Sequence, residues 1–334
     1  MKILVLKLTS LEETILSTPL FNSLKKSFPD SQIDLVTYEE NLEIISGHKS
    51  INHIFSIKKE DNFFSYLFFS LKVLGNKYDA IIDLTGNKKS GLFGLFSFGV
   101  KYKVRKDKNR IFNFRYKNLI PCEERYYDEV EKNLRFLEPI YEKENIKGVY
   151  DKEITLNIRE HERENIKNRM KEEGIDVSIP IFACSVYPKS PYEVYPLDEM
   201  KKIVENLSSE NYTIVLYFEE ENEENIKKFY DKLGNKKNIK LFKINNLIEY
   251  RGFFANCKFF FGNECCERYI AQGLEVPSFI IFNNQETWIA NYGERFQGII
   301  NGKITKSYFG ITEDRVYGEI SSEDIIERIK RMIK

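Results

Sequence analysis

Two adjacent carboxylates, Glu12 and Glu13, follow Thr9 and Ser10 where an apolar run over residues 3–8 gives way to a helical pattern. A carboxylate at the end of a strand can serve as a general base, taking the proton of an attacking hydroxyl. The same residues also suit a helix start, with Thr9 or Ser10 as cap and two acids in the first turn. Spacing alone leaves both readings open.

Three further segments share this strand–turn–helix form. In Asp83-Leu84-Thr85-Gly86-Asn87-Lys88-Lys89-Ser90, amides beyond Gly86 could receive an anion, with Lys88 or Lys89 as counter-charge. Capping by Asp83 or Thr85 explains the same residues, and the spacing is not that of a P-loop. In Ser185-Val186-Tyr187-Pro188-Lys189-Ser190-Pro191-Tyr192, Lys189 and the hydroxyls could hold phosphate oxygens, or form a solvated loop. In Gly262-Asn263-Glu264-Cys265-Cys266-Glu267-Arg268-Tyr269, helix-start amides would suit a diphosphate and Glu264 the hydroxyls of a sugar. An ordinary strand–helix turn is the competing reading. His48, His53 and His161 are far apart and lack metal-ligand spacing, so no metal site is expected.

Positioning these residues requires strands that end at a common edge. Apolar runs alternate with helical patterns through both halves, the signature of parallel sheets with crossover helices. Strands are expected over 3–8, 32–37, 53–57, 80–84 and 101–104, then over 180–184, 213–217, 239–242, 257–261 and 278–282. A first helix is expected over 13–27 and a long one over 126–142. Residues 63–74 are apolar nearly all round and too short to span a bilayer, which predicts core burial rather than membrane contact. Residues 101–110 carry six cations and one acid and read as a solvated hairpin, or as a patch for phosphorylated lipid or membrane headgroups. The resulting division is an N-terminal α/β domain (1–150), a charged linker (151–175) with a helical run lacking a strong apolar stripe, and a C-terminal α/β domain (176–334). The expected architecture is two similar domains facing each other across a ligand-binding cleft.

The 334 residues suffice for two such domains, and 42% hydrophobic with 31% charged content describes a globular chain. Zero net charge argues against nucleic acid as a partner. Residues 1–150 hold 24 Lys and Arg against 20 Asp and Glu, a slight basic bias. Five irregularly spaced cysteines without a Cys-x-x-Cys pair, and no signal-peptide pattern, predict a reducing, cytoplasmic setting.

The motifs taken together resemble glycosyltransferase family 9, the ADP-heptose:lipopolysaccharide heptosyltransferases. Lys7, Ser10, Glu13 and Thr18-Pro19 follow its N-terminal signature, and Tyr78-Asp79-Ala80-Ile81-Ile82-Asp83-Leu84-Thr85-Gly86 follows a second segment. Val130-Glu131-Lys132-Asn133, Tyr195-Pro196 and the stretch from Gly262 to Pro277 follow in the family's order. The resemblance implies a GT-B fold and an inverting glycosyl transfer without metal or cofactor. It implies a nucleotide-sugar donor such as ADP-heptose, held by the C-terminal domain, and a lipid-linked surface-glycan acceptor. Glu13 falls on the family's proposed base. Ser185, Lys189, Glu264, Cys265, Cys266 and Tyr269 fall at donor contacts, and Ser10, Glu12 and Lys88 on the acceptor side. Peripheral contact with the cytoplasmic face of the inner membrane is a further implication. The chain departs from the family pattern at Glu12, Cys266, Tyr269, Asp128 and Glu193. A non-catalytic member that binds a glycan, nucleotide or protein partner is the alternative.

Overall fold

Ile3 to Leu6 lose all solvent exposure in the computed structural model, as a strand covered on both faces requires. The structure describes residues 1–108, 110–121, 128–187, 194–208, 211–234, 236–282, 294–300, 303–304 and 321–334. Its contacts divide the chain into two units, Met1–Asn157 and Ile158–Lys334.

The first unit contains β1 (Lys2–Lys7), α1 (Leu11–Ile15), α2 (Thr18–Ser27), β2 (Gln32–Tyr38), α3 (Leu42–Ile45) and β3 (His53–Ile57). It continues with α4 (Phe63–Leu74), β4 (Ala80–Asp83), α5 (Lys88–Phe96), β5 (Tyr102–Asp107), β6 (Asn118–Pro121), α6 (Glu129–Leu134) and α7 (Glu138–Glu144). Its six strands pair in parallel in the order β3-β2-β1-β4-β5-β6. The order reverses between β1 and β4, the point where doubly wound sheets open a ligand crevice.

The second unit contains α8 (Glu160–Glu172), β7 (Ile181–Ser185), α9 (Leu197–Leu207), β8 (Thr213–Phe218), α10 (Glu223–Lys232), β9 (Ile239–Lys243) and α11 (Leu247–Ala255). It continues with β10 (Phe259–Asn263), α12 (Glu267–Gly273), β11 (Ser278–Ile281), β12 (Phe296–Ile300), β13 (Lys303–Ile304) and α13 (Ser322–Met332). Its sheet runs β13-β12-β11-β10-β7-β8-β9, parallel except for the β12–β13 pair. The order of the first unit is thus repeated, with β7 and β10 at the reversal.

Several expectations are corrected by the structure. The helix expected over 13–27 is broken at Leu16 and Ser17, with Pro19 in the opening turn of α2, where its missing N–H costs nothing. The helix expected over 126–142 is interrupted by a 3₁₀ turn at Arg135–Leu137 between α6 and α7. The strand expected over 101–104 is present as β5 but runs on to Asp107, so the basic stretch otherwise expected as a solvated hairpin lies largely in an interior strand paired in parallel with β4 and β6. Its Arg105 is fully buried and donates to Asp83 at the end of β4. The helix expected as core, α4, buries Tyr66, Ser70 and Val73 but leaves Phe63, Phe64 and Phe68 exposed.

The stretch expected as a linker is shared between the units. Asp151 and Thr155 bond to Ser23 and Asn22 of α2. α8 instead lies on α11, where the buried Glu162 carboxylate takes two bonds, 2.7 and 2.8 Å, from Arg251. Among the described residues, no helix is long and apolar enough to cross a membrane.

Candidate active site

The turn after β1 is pinned from three sides. The Leu8 amide donates to Thr85 Oγ1 at 2.8 Å, tying the turn to the end of β4. Asn41 Nδ2 donates to the Thr9 carbonyl at 3.0 Å, and Asn133 of α6 donates to the Leu16 carbonyl at 3.1 Å. Such second-layer bonds hold a reactive side chain in one geometry. Ser10 caps α1 by accepting from the Glu13 amide at 3.4 Å, so the capping expectation holds for its backbone role.

Glu13 nevertheless has a second attachment. Lys7, at the carboxyl end of β1, is fully buried, and its Nζ lies 3.4 Å from Glu13 Oε2 and 3.5 Å from Asn133 Oδ1. Burial pulls the Lys7 ammonium below the usual lysine range, against the support of Glu13 and Glu129. Glu13 itself is partly open to solvent, which leaves a carboxylate edge available to a substrate. Around this pair lie Glu129, Lys106 and Lys132, with Lys–Glu distances of 3.8 and 3.5 Å. Burial alone would raise the Glu129 carboxyl, but Lys7, Lys106 and Lys132 together hold it below its ordinary value. Asp128, the cap of α6, accepts from the Glu131 amide at 2.7 Å, and burial raises its carboxyl to about 7.

Glu12 is half-buried in the first turn of α1, and Lys88 is exposed at the start of α5. The anion cradle expected near Gly86 is already filled from within. Asp83 Oδ1 accepts from the Thr85 and Gly86 amides at 3.0 and 2.9 Å, and Asn87 Oδ1 accepts from the Ser90 amide at 2.8 Å. Gly86 has φ +69°, and a Cβ there would meet the Lys106 carbonyl oxygen at 2.4 Å, so the glycine serves this tight turn.

In the second unit the equivalent edge is built by Gly262 and Asn263. Gly262 has φ +128°, and a Cβ would fall 2.2 Å from the Ser185 carbonyl oxygen, so β10 can approach β7 only as glycine. The buried Asn263 accepts from the Tyr195 amide at 2.9 Å and donates to the Val186 carbonyl at 2.7 Å. It thereby fixes both ends of the segment that contains Lys189, which itself lies outside the described residues, as does Glu193.

Ser185, Tyr187, Tyr217, Glu219, Tyr250 and Glu267 line a pocket of about 390 Å³, counting its open mouth. Tyr250 donates to Glu219 Oε1 at 3.0 Å. Cys265 Sγ lies 3.5 Å from the Tyr217 hydroxyl, and burial, followed by Glu267, raises its thiol well above the usual range. Cys266 begins α12 without a side-chain cap bond. Glu264 lies 3.6 Å from Arg268, which also donates to the buried Tyr269 hydroxyl. Of the expected donor residues, Ser185 and Cys265 gather at the pocket. Tyr269 instead packs beside Arg268.

Glu219 was not foreseen. It directly follows β8, the strand next to β7, and an acid near the second strand of a doubly wound unit commonly bonds ribose hydroxyls. Strand order had to be known before that signal could be read.

Comparison with known proteins agrees with this geometry. The family model for glycosyltransferase family 9 (heptosyltransferase) matches residues 69–307. Two proteins named lipopolysaccharide heptosyltransferase 3 are similar to it. One, from Escherichia coli, is 38% identical over 78 residues, 22% of this chain and 23% of that protein. The other, from Escherichia coli strain K12, is 21% identical over 215 residues, 61% of this chain and 59% of that protein. The matched regions thus span less than two thirds of either relative. A glycosyl transferase family 9 structure from Veillonella parvula superposes with a TM-score of 0.80 at 14% identity, covering 99% of this chain and 97% of that one. ADP-heptose LPS heptosyltransferase II of E. coli superposes with 0.77 at 15% identity, covering 100% and 98%. These likenesses establish an α/β fold of the GT-B class, and the family match extends over most of the sequence: the chain belongs to glycosyltransferase family 9, the heptosyltransferase family.

Proposed function

We propose that the protein is an inverting glycosyltransferase that moves heptose or a similar sugar from a nucleotide donor to a lipid-linked surface-glycan acceptor, such as a lipopolysaccharide core. The observation that carries this reading is Glu13, partly exposed at the carboxyl end of β1 and tethered 3.4 Å from the buried Lys7 ammonium. Family membership and the heptosyltransferase relatives support the class of reaction. The name of the E. coli structural relative supports ADP-heptose as the first donor to try.

In this mechanism Glu13 accepts the proton of the acceptor hydroxyl. The acceptor oxygen bonds to the anomeric carbon as the bond from that carbon to the diphosphate breaks, and the nucleoside diphosphate leaves with the electron pair. The step needs no metal or cofactor to balance. Glu219 and Glu267 suit the hydroxyls of the donor's ribose or sugar, because ionised carboxylates only accept hydrogen bonds. Lys189 is assigned to the phosphates, with Ser185, Glu264, Cys265, Cys266 and Tyr269 as the surrounding donor contacts. Ser10, Glu12 and Lys88 are assigned to the acceptor side. The reaction is placed in the cytoplasm, where the acceptor lipid is reached from the membrane surface.

Replacing Glu13 by Gln should lower the transfer rate about 10²- to 10⁴-fold, the usual loss of a general base, while circular dichroism stays unchanged. Turnover near wild type in that variant would remove Glu13 from the chemistry. Calorimetry with a panel of nucleotide sugars tests the donor half separately. Absence of heat with every donor at millimolar concentration would support a binding role towards another partner.

A further inference from the structure

The Lys7 ammonium sits where a charge is hardest to keep. It is fully buried at the end of β1, and burial disfavours its charged form. Glu13 of α1 is 3.4 Å away, but its side chain is 41% exposed and is the one assigned to take a proton. Once Glu13 is protonated, its support for Lys7 is gone. A buried cation without a counter-charge is costly, so a site built this way needs a second carboxylate that stays ionised.

Glu129 meets that need. It opens α6, the helix that packs on α2 and supplies Asn133, whose Oδ1 lies 3.5 Å from Lys7 Nζ. After burial, the groups that act most on Lys7 are Glu13 and then Glu129. The dependence is mutual. Burial works to raise the Glu129 carboxyl, and against it Lys7 acts first, then Lys106 and Lys132. Lys106 comes from β5 and Lys132 from the next turn of α6, with Nζ 3.8 and 3.5 Å from the Glu129 oxygens. The Glu129 side chain is only 18% exposed, so solvent ions screen these interactions weakly.

Neighbouring charges are committed elsewhere or add to the positive side. Asp83, at the end of β4, holds Arg105. Glu131 is paired with Lys152 at 2.5 Å. Asp128, raised by burial, keeps its proton up to about 7. Glu12, beside Glu13, is half-buried in the first turn of α1. Arg135, which follows α6, lines a pocket with Lys106 and Lys132 and strengthens the positive field. Glu13 and Glu129 therefore face Lys7, Lys106 and Lys132 as two carboxylates against three ammoniums. When Glu13 accepts a proton, Glu129 alone remains to oppose them.

We propose that Glu129 is a positioning residue for the transfer step: it keeps Lys7 charged, and thereby Glu13 in place, while Glu13 gains the acceptor's proton. It acts through Lys7 and touches no reacting atom. The proton passes from the acceptor hydroxyl to Glu13, and Lys7 and Glu129 exchange none. By opposing the cations, Glu129 also keeps Glu13 basic, since a carboxylate among unopposed ammoniums holds a proton less well. The inference deepens the proposed reaction and rests on Glu13 as its base.

Removing one negative charge lowers every proton affinity around it, which fixes the sign of the test. Glu129→Gln keeps the side-chain shape and should lower the titration midpoints of both Lys7 and Glu13 by about one pH unit. Carbon NMR of the free protein reads these midpoints at lysine Cε and glutamate Cδ, the two resonances being assigned by their loss in Lys7→Met and Glu13→Gln. Lys106→Gln removes a positive charge and should move both midpoints up, whereas Glu129→Asp should restore the wild-type values. In turnover of ADP-heptose with a lipopolysaccharide-core acceptor, both limbs of the bell-shaped pH profile should shift as the midpoints do. The basic limb should disappear in Lys7→Met. Asp128→Asn should leave both limbs in place, because Asp128 is not among the groups acting most on Lys7 or Glu129. Midpoints unmoved by Glu129→Gln and Lys106→Gln would overturn the proposal, and so would a lower plateau with unmoved limbs, the mark of a merely structural loss. If Glu129→Gln does not fold, the upward shift in Lys106→Gln decides alone. Shifted midpoints with wild-type turnover in Glu13→Gln would leave the charge coupling standing and remove the reaction from it. An inactive Glu13→Gln with unmoved limbs in the charge variants would remove Glu129 alone.

Discussion

The carboxyl edges of the two sheets share a strand order and differ in chemistry. In the first unit the edge is built of charges: a buried Lys7, Glu13 and Asn133 beside it, and Glu129 among three lysines. In the second, the described lining of the pocket has three tyrosines and two glutamates beside Ser185 and Asn222, and no cation. Topology fixes where a ligand meets the sheet, while the residues at the strand ends decide what can be done there. The first edge is equipped to hold a carboxylate ready for a proton. The second is equipped to recognise hydroxyl groups. On the proposed mechanism the first edge sets the rate and the second the affinity, and substitutions can separate these.

The largest effect is expected from Lys7→Met. Glu13 loses its tether, and misplacing a catalytic group costs about 10²-fold in kcat, with the donor KM unchanged. The loss of stability should be small, since Glu13 is partly open to water and Glu129 keeps Lys106 and Lys132. A rise in donor KM instead would dissolve the distinction between the edges. Glu219→Gln comes next: loss of a charge-assisted bond should raise donor KM about tenfold and leave kcat within about threefold. A fall in kcat as large as that of Lys7→Met would break the comparison from the other side.

The smallest effect is on stability against pH. Burial raises Asp128 to about 7, so the native state keeps its proton where the unfolded chain has lost it. Its contribution to stability therefore falls as pH rises from about 4 to about 7. Asp128→Asn retains an N-cap side chain and should remove that slope, gaining stability relative to wild type at pH 8 more than at pH 4 in urea unfolding. His48 acts in the opposite sense: burial lowers it to about 4, so its contribution falls as pH drops through the same window. The difference between variant and wild type is accordingly the quantity to read. A pH-independent difference would show that the Asp128 carboxyl is not held protonated.

The fold was legible where burial acts on both faces of a strand, as in Ile3 to Leu6 and Ile181 to Cys184, because such runs stay apolar. It was hidden where a single long-range bond cancels a charge. The start of β5 was expected over 101–104, but its continuation reads as part of a polar hairpin until Arg105 finds Asp83, and α8 reads as a linker until Glu162 finds Arg251, 89 residues away. β6 was missed because Ile120 is the only buried side chain in Asn118–Pro121. α4 misled in the opposite direction, since composition does not say which of two apolar stripes a neighbour will cover. At the candidate site, the resemblance singled out Glu13, but the contact with Lys7 required the buried end of β1. Glu219 stands among four consecutive residues, Glu219 to Asn222, of which three are glutamates. Only the strand order singles it out.

Asn263 has a consequence for how such proteins diversify. By bonding Val186 on one side and Tyr195 on the other, it holds both ends of the intervening segment, whatever residues join them. For a flexible loop, doubling the length costs only about 0.6 kcal/mol in closure entropy. Residues between the clamped points can therefore be inserted, removed or exchanged with little penalty to the register of β7 and β10. One buried amide side chain thus insulates the scaffold from sequence drift in the segment that joins these two points.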